Sequence, residues 1–115
     1  MLSFDKNSAQ SVFNHVVNHL REQEIKSKDP HDRCMYRGKL GTMCAVGCLI
    51  SDDEYDVKME HKTVSYVVNH YECLNWMGKH SSLLGRLQEC HDYIPIIDWE
   101  MEFKNIAKEF DLTIP

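Results

Sequence analysis

The residues best suited to chemistry in this chain crowd into one stretch, "YRGKLGTMCAVGCLI", positions 36 to 50. It holds three of the five glycines, two of the five cysteines, and the cations Arg37 and Lys39. A planar guanidinium at Arg37, the ring of Tyr36 as a stacking platform, and glycines at 38 and 41 that let backbone amides come close would together suit a phosphate or carboxylate. Tyr36, Arg37, Gly38 and Lys39 are therefore the first candidates for ligand binding. The cysteines allow a second chemistry. A thiolate zinc site needs four ligands, which Cys34, Cys44, Cys48 and His31 could supply. Their spacing contains no Cys-x-x-Cys pair, so the expectation is reduced thiols packed as small apolar residues, and no metal.

Three histidines invite a functional reading. His91 falls inside the apolar stripe of its segment, beside Leu84, Leu87 and Ile94, and is expected to be buried. It is a candidate ligand-binding imidazole or a core histidine bonded to the main chain. Adjacent helical residues diverge by about 100°, so Asp92 is not expected to orient it as a triad carboxylate would. In "HVVNH", residues 15 to 19, two histidines share a helix face at the spacing of zinc-protease motifs. Position 16 is valine where those motifs need a glutamate base, and projection sets His15 well away from the apolar stripe and His19 at its border. They are expected to face solvent. No phosphate loop, dinucleotide-binding fingerprint or nucleophile elbow is present, and no cofactor is expected.

These residues must be positioned by a small scaffold. The chain has 115 residues, 43% of them hydrophobic and 27% charged, which suits a single domain over 1–115. A net charge of −5 argues against broad nucleic-acid binding, which needs a basic face. The opening "MLSFDKNSAQ" lacks the pattern of a leader, no stretch reaches membrane-spanning length, and five unpaired-looking cysteines fit a reducing compartment. A cytoplasmic protein is expected.

Apolar spacing predicts a first helix from about Ser8 to Lys26, carrying Ala9, Val12, Phe13, Val16, Val17 and Leu20. A second runs through "KTVSYVVNHYECLNWMG" on Val64, Val67, Val68, Tyr71, Leu74 and Met77. A third covers "HSSLLGRLQECHDYI" with a serine cap, and a fourth follows an Asp98 cap with Trp99, Phe103, Ile106, Ala107 and Phe110 on one face. Between the first two, "CMYRGKLGTMCAVG" reads as a small β-hairpin turning at the glycines, followed by a short acidic helical turn capped by Ser51 and Glu54. The expected fold is α+β: mainly helical, three to four amphipathic helices with that hairpin.

"YRG", "CAVGCLI", "DDEYD", "ME" and "LQECHD" before a Trp-initiated terminal helix together resemble a family of small uncharacterised bacteriophage and bacterial proteins. The resemblance runs from Cys34 onward and marks Tyr36, Arg37, Cys44, Gly47, Cys48, Asp53, Tyr55, Glu60, Gln88, His91 and Asp92 as positions of interest. Ser51 departs from it, standing where proline is common. The resemblance implies action in a host cytoplasm, on host factors or nucleotide signals. The expected function is thus a non-catalytic binding protein that counters host defence by sequestering an anionic, nucleotide-type ligand or by docking on a host protein. The alternative is a small Cys/His-dependent enzyme or a zinc protein. A second copy of the chain remains a candidate partner.

Overall fold

The computed structural model describes residues 3–115. Helix α1 spans Ala9–Gln23; Ser8 accepts the Ser11 amide at its start, and Val12, Phe13, Val16, Val17 and Leu20 are buried along one face. It stops short of Lys26 because Glu24 turns left-handed (φ 61°) and returns its amide to the Leu20 carbonyl. Helix α2 is short, Val64–His70, capped by Thr63. The long second helix expected from the spacing ends there. Tyr71 is extended, and the chain continues through tight 3₁₀ turns over Glu72–His80, which still bury Leu74 and Met77. Three β-branched valines in α2 make it a weak helix former.

Helix α3 (Ser81–Tyr93) and helix α4 (Trp99–Glu109) are separated by Pro95 and a turn at Ile96–Asp98. Neither is capped as expected. His80, not a serine, precedes α3, and Asp98 sits at the cap position of α4 without a side-chain bond because the preceding turn runs directly into the helix. The Trp99 indole donates to the Cys90 and Ile94 carbonyls and locks the α3–α4 corner. Its ring, Phe103 and Ile106 are buried, as are Leu84 and Leu87 of α3.

The β-hairpin does not form; among the described residues there is no strand, only isolated bridges pairing Lys28 with Cys34 and Arg37 with Met43. The reason lies in where the amides go. Tyr36 and Arg37 donate theirs to the Glu60 carboxylate at 2.8 and 3.0 Å. The tip closes instead as a tight loop, Gly38 N–H to Thr42 and Thr42 N–H to Lys39, with Leu40 and Gly41 both at positive φ. "CAVGCLI" then coils into a turn in which every residue is buried. Ser51 and Glu54 do close a turn, the Ser51 amide donating to the Glu54 carboxylate at 3.1 Å.

Helix α1 packs on that buried turn and on α3, and α3 packs on α4. Among the described residues the result is a mainly helical, compact domain of four α-helices, with a radius of gyration of 13.1 Å, close to the ~13 Å expected for a packed chain of this length. No helix among the described residues is long and apolar enough to cross a membrane.

Candidate functional site

The last turns of α3 carry one polar cluster. His91 is fully buried, and its Nε2 accepts the Ser27 amide at 2.9 Å. An amide can only donate, so the ring proton must sit on Nδ1, which donates to the Asp92 carboxylate at 2.8 Å. Asp92 therefore does orient His91, against expectation. Gln88, one helical turn earlier, makes this possible by donating to the same Asp92 oxygen at 2.8 Å while its own oxygen accepts the Val46 amide. The "LQECHD" residues thus stitch the 27–35 loop and the "CAVGCLI" turn onto α3. The thiol of Cys34 lies at the edge of this cluster, within 4.8 Å of ligand atoms of His91 and Asp92.

Chemistry at these thiols is held down by burial. Burial, then the Asp92 charge, pushes the Cys34 thiol up to about 11; burial pushes Cys44 up to about 12 and Cys48 upward as well. Cys44 accepts the Gly47 amide and Cys48 donates to the Ala45 carbonyl. His31 is exposed. The four zinc ligands considered from sequence do not converge, and the cluster that does converge draws only Cys34 from that set.

A second polar cluster surrounds Arg37. Its guanidinium donates to the Ile50 carbonyl at 2.5 Å and pairs with Asp52 at 2.6 Å, and it lies 4.9 Å from the centre of the Tyr55 ring. The stacking ring is therefore Tyr55, not Tyr36. Tyr36 is buried, its hydroxyl donating to the Lys62 carbonyl. Beneath, the buried Glu60 carboxylate accepts the Tyr36 and Arg37 amides and the Tyr55 hydroxyl, at 2.5 Å for the last. Gly38 offers no amide to a ligand, since its N–H already bonds Thr42. It is needed for packing: a Cβ there would stand 2.6 to 2.8 Å from Ser27 Oγ, Thr42 Oγ1 and the Lys28 nitrogen. Gly47 is tighter still, with a Cβ 2.2 Å from the Tyr36 carbonyl oxygen. Lys39 is exposed at the loop tip. Arg37 and His91 share no hydrogen-bond partner, so the five predicted ligand-binding residues split between two clusters.

His15 and His19 are half-buried rather than solvent-facing. Their Nε2 atoms bond the Cys48 carbonyl at 3.1 Å and the Met43 carbonyl at 2.9 Å, pinning α1 to the buried turn. They line a cleft of about 410 Å³. Sequence reasoning missed Ser27 and Asp29, because loop residues that act through backbone bonds leave no periodic trace. Tyr55 was flagged only by resemblance. Compared with protein-family models, curated proteins and solved structures, the chain finds no match.

Proposed function

We propose that the protein is a non-catalytic binding protein that holds an anionic, phosphate-bearing ligand of nucleotide type at Arg37. The observation that carries this reading is the state of the Arg37 guanidinium. It is fixed over Tyr55 and by the Ile50 carbonyl, yet its charge partner Asp52 has a side chain 93% exposed. A solvated carboxylate in a surface ion pair contributes about 0–1 kcal/mol, so a ligand phosphate can replace Asp52 on the guanidinium. Tyr55 then serves as the platform and Lys39, on the neighbouring loop tip, as a second charge. Resemblance to bacteriophage proteins gives the biological setting, sequestration of a nucleotide signal from host defence in the host cytoplasm.

Calorimetric titration of nucleotides and cyclic dinucleotides into wild type, Arg37→Ala and Asp52→Asn tests this. Arg37→Ala should lose about 1.5 to 3 kcal/mol, roughly ten- to a hundredfold in affinity, while Asp52→Asn, freed of the competing carboxylate, should bind more tightly. The Lys replacement at 37 should restore only part. If wild type binds none of these ligands and a host protein is captured equally by wild type and Arg37→Ala, the docking reading replaces this one. That second reading draws on the exposed apolar side chains Tyr93, Ile97 and Met101 near the α3–α4 corner.

A further inference from the structure

The tip of the 38–42 loop carries a side chain that the rest of the fold does not use. Leu40 is 96% exposed and stands in the left-handed region at φ 58°. The other non-glycine residues at positive φ among those described are Glu24, Asp32, His61 and Asp111, so Leu40 is the one apolar member of the set. Its Cβ disfavours that backbone conformation, and its exposure leaves the burial of an aliphatic side chain unused. The loop is nonetheless firmly closed. The Gly38 amide donates to the Thr42 carbonyl, and the Lys39 carbonyl accepts both the Thr42 amide and, at 2.7 Å, the Thr42 hydroxyl. An apolar knob held in one strained conformation, away from its own core, is preorganised to anchor on another surface.

The complementary feature lies at the end of α1. A groove of about 160 Å³ takes its apolar lining from Leu20, Trp99 and Phe103 and its charged lining from Arg21, Glu24 and Glu100. Arg21 is matched by Glu100 through two hydrogen bonds of 2.9 and 2.8 Å. Glu24, exposed and in no ion pair among the described residues, therefore leaves the groove with one negative charge in excess. Lys39, next to Leu40, is exposed and likewise unpaired among those residues. Knob and groove belong to one patch: Leu40 and the exposed Ile25 line a common cleft, and Ile25 directly follows Glu24. We propose that the protein pairs with a second copy of itself about a two-fold axis near Ile25. Leu40 of each chain enters the Leu20–Trp99–Phe103 groove of the other, and Lys39 meets the other chain's Glu24. A patch that holds both knob and hole suits a two-fold interface, which closes at two chains. This pairing is independent of the reading at Arg37, with which it shares only Lys39.

Sedimentation equilibrium of the full chain, run from about 1 to about 500 μM, tests the pairing in wild type, Leu40→Asn, Lys39→Glu, Glu24→Lys and the double charge reversal. Asparagine tolerates the left-handed region, so Leu40→Asn removes the knob while keeping the fold, which circular dichroism and thermal melting verify. Wild type should form a reversible dimer, and Leu40→Asn should weaken it about tenfold or more. Each single charge reversal should also weaken it, and the double reversal should recover the loss. A wild type that stays monomeric across the range, equal association by Leu40→Asn, or a double reversal no better than the singles would each overturn the pairing. Capture of a foreign protein by monomeric wild type, lost in Leu40→Asn, would also overturn it and assign the tip to that partner.

Discussion

The C-terminal turns of α3 and the Arg37 corner use similar residues to opposite ends. At α3, His91, Asp92 and Gln88 are joined in one run of internal hydrogen bonds from the Ser27 amide to the Val46 amide, with the buried Ser27 hydroxyl beside it left without a partner. At Arg37 the guanidinium is held by the Ile50 carbonyl and the Tyr55 ring, its Nε is buried without a hydrogen-bond partner, and its charge partner Asp52 is solvated. Polar groups joined at depth hold architecture, because removing one orphans its buried partner; polar groups fixed at one end and exchangeable at the other are free to meet a ligand. The presence of histidine beside aspartate, or of arginine beside tyrosine, does not distinguish the two. Exposure and the identity of the partner do.

The largest effect belongs to the apolar frame beneath both regions. Phe103→Ala, at a fully buried site between α3 and α4, should lower stability by roughly 3 to 5 kcal/mol, seen as a fall in the urea midpoint. A midpoint close to wild type would reject the packing of that seam. His91→Leu keeps the volume but leaves the Ser27 amide without an acceptor, and should cost about 1 to 3 kcal/mol. If it cost nothing, the α3 cluster would not be the structural one of the pair. Arg37→Ala should shift stability by less than about 1 kcal/mol while weakening ligand affinity roughly ten- to a hundredfold, the contrasting signature of an exchangeable site.

A pH experiment sharpens the same contrast within the 27–35 loop. The backbone amide of Arg33, with its side chain and the His31 amide, holds the Asp29 carboxyl down at about 2, against an ordinary value of 3.8. The folded state therefore binds its proton less readily than the unfolded chain. The stability it contributes is present above pH 4 and lost as pH falls from about 4 toward 2. Melting curves of wild type and Asp29→Asn should differ at neutral pH and converge near pH 2; a constant gap across that window would show that the ionised carboxylate has no such role.

Periodic spacing determined the helical frame of this protein. Val12 to Leu20, Leu84 to His91 and Trp99 to Ala107 each repeat at helical intervals, and a helix needs only its own residues to satisfy its backbone. Composition likewise determined that the cysteines of the "CAVGCLI" turn would be buried small residues. Tertiary structure alone decided the rest. Whether "CMYRGKLGTMCAVG" became a hairpin depended on Glu60, some twenty residues away, capturing the Tyr36 and Arg37 amides. The ring beneath Arg37, the proton position on His91 and the anchoring of His15 and His19 were likewise set by partners distant in the chain, Tyr55, Ser27, Cys48 and Met43. Such contacts carry no local period, because a main-chain amide or carbonyl is the same at every residue and only folding determines which side chain it meets.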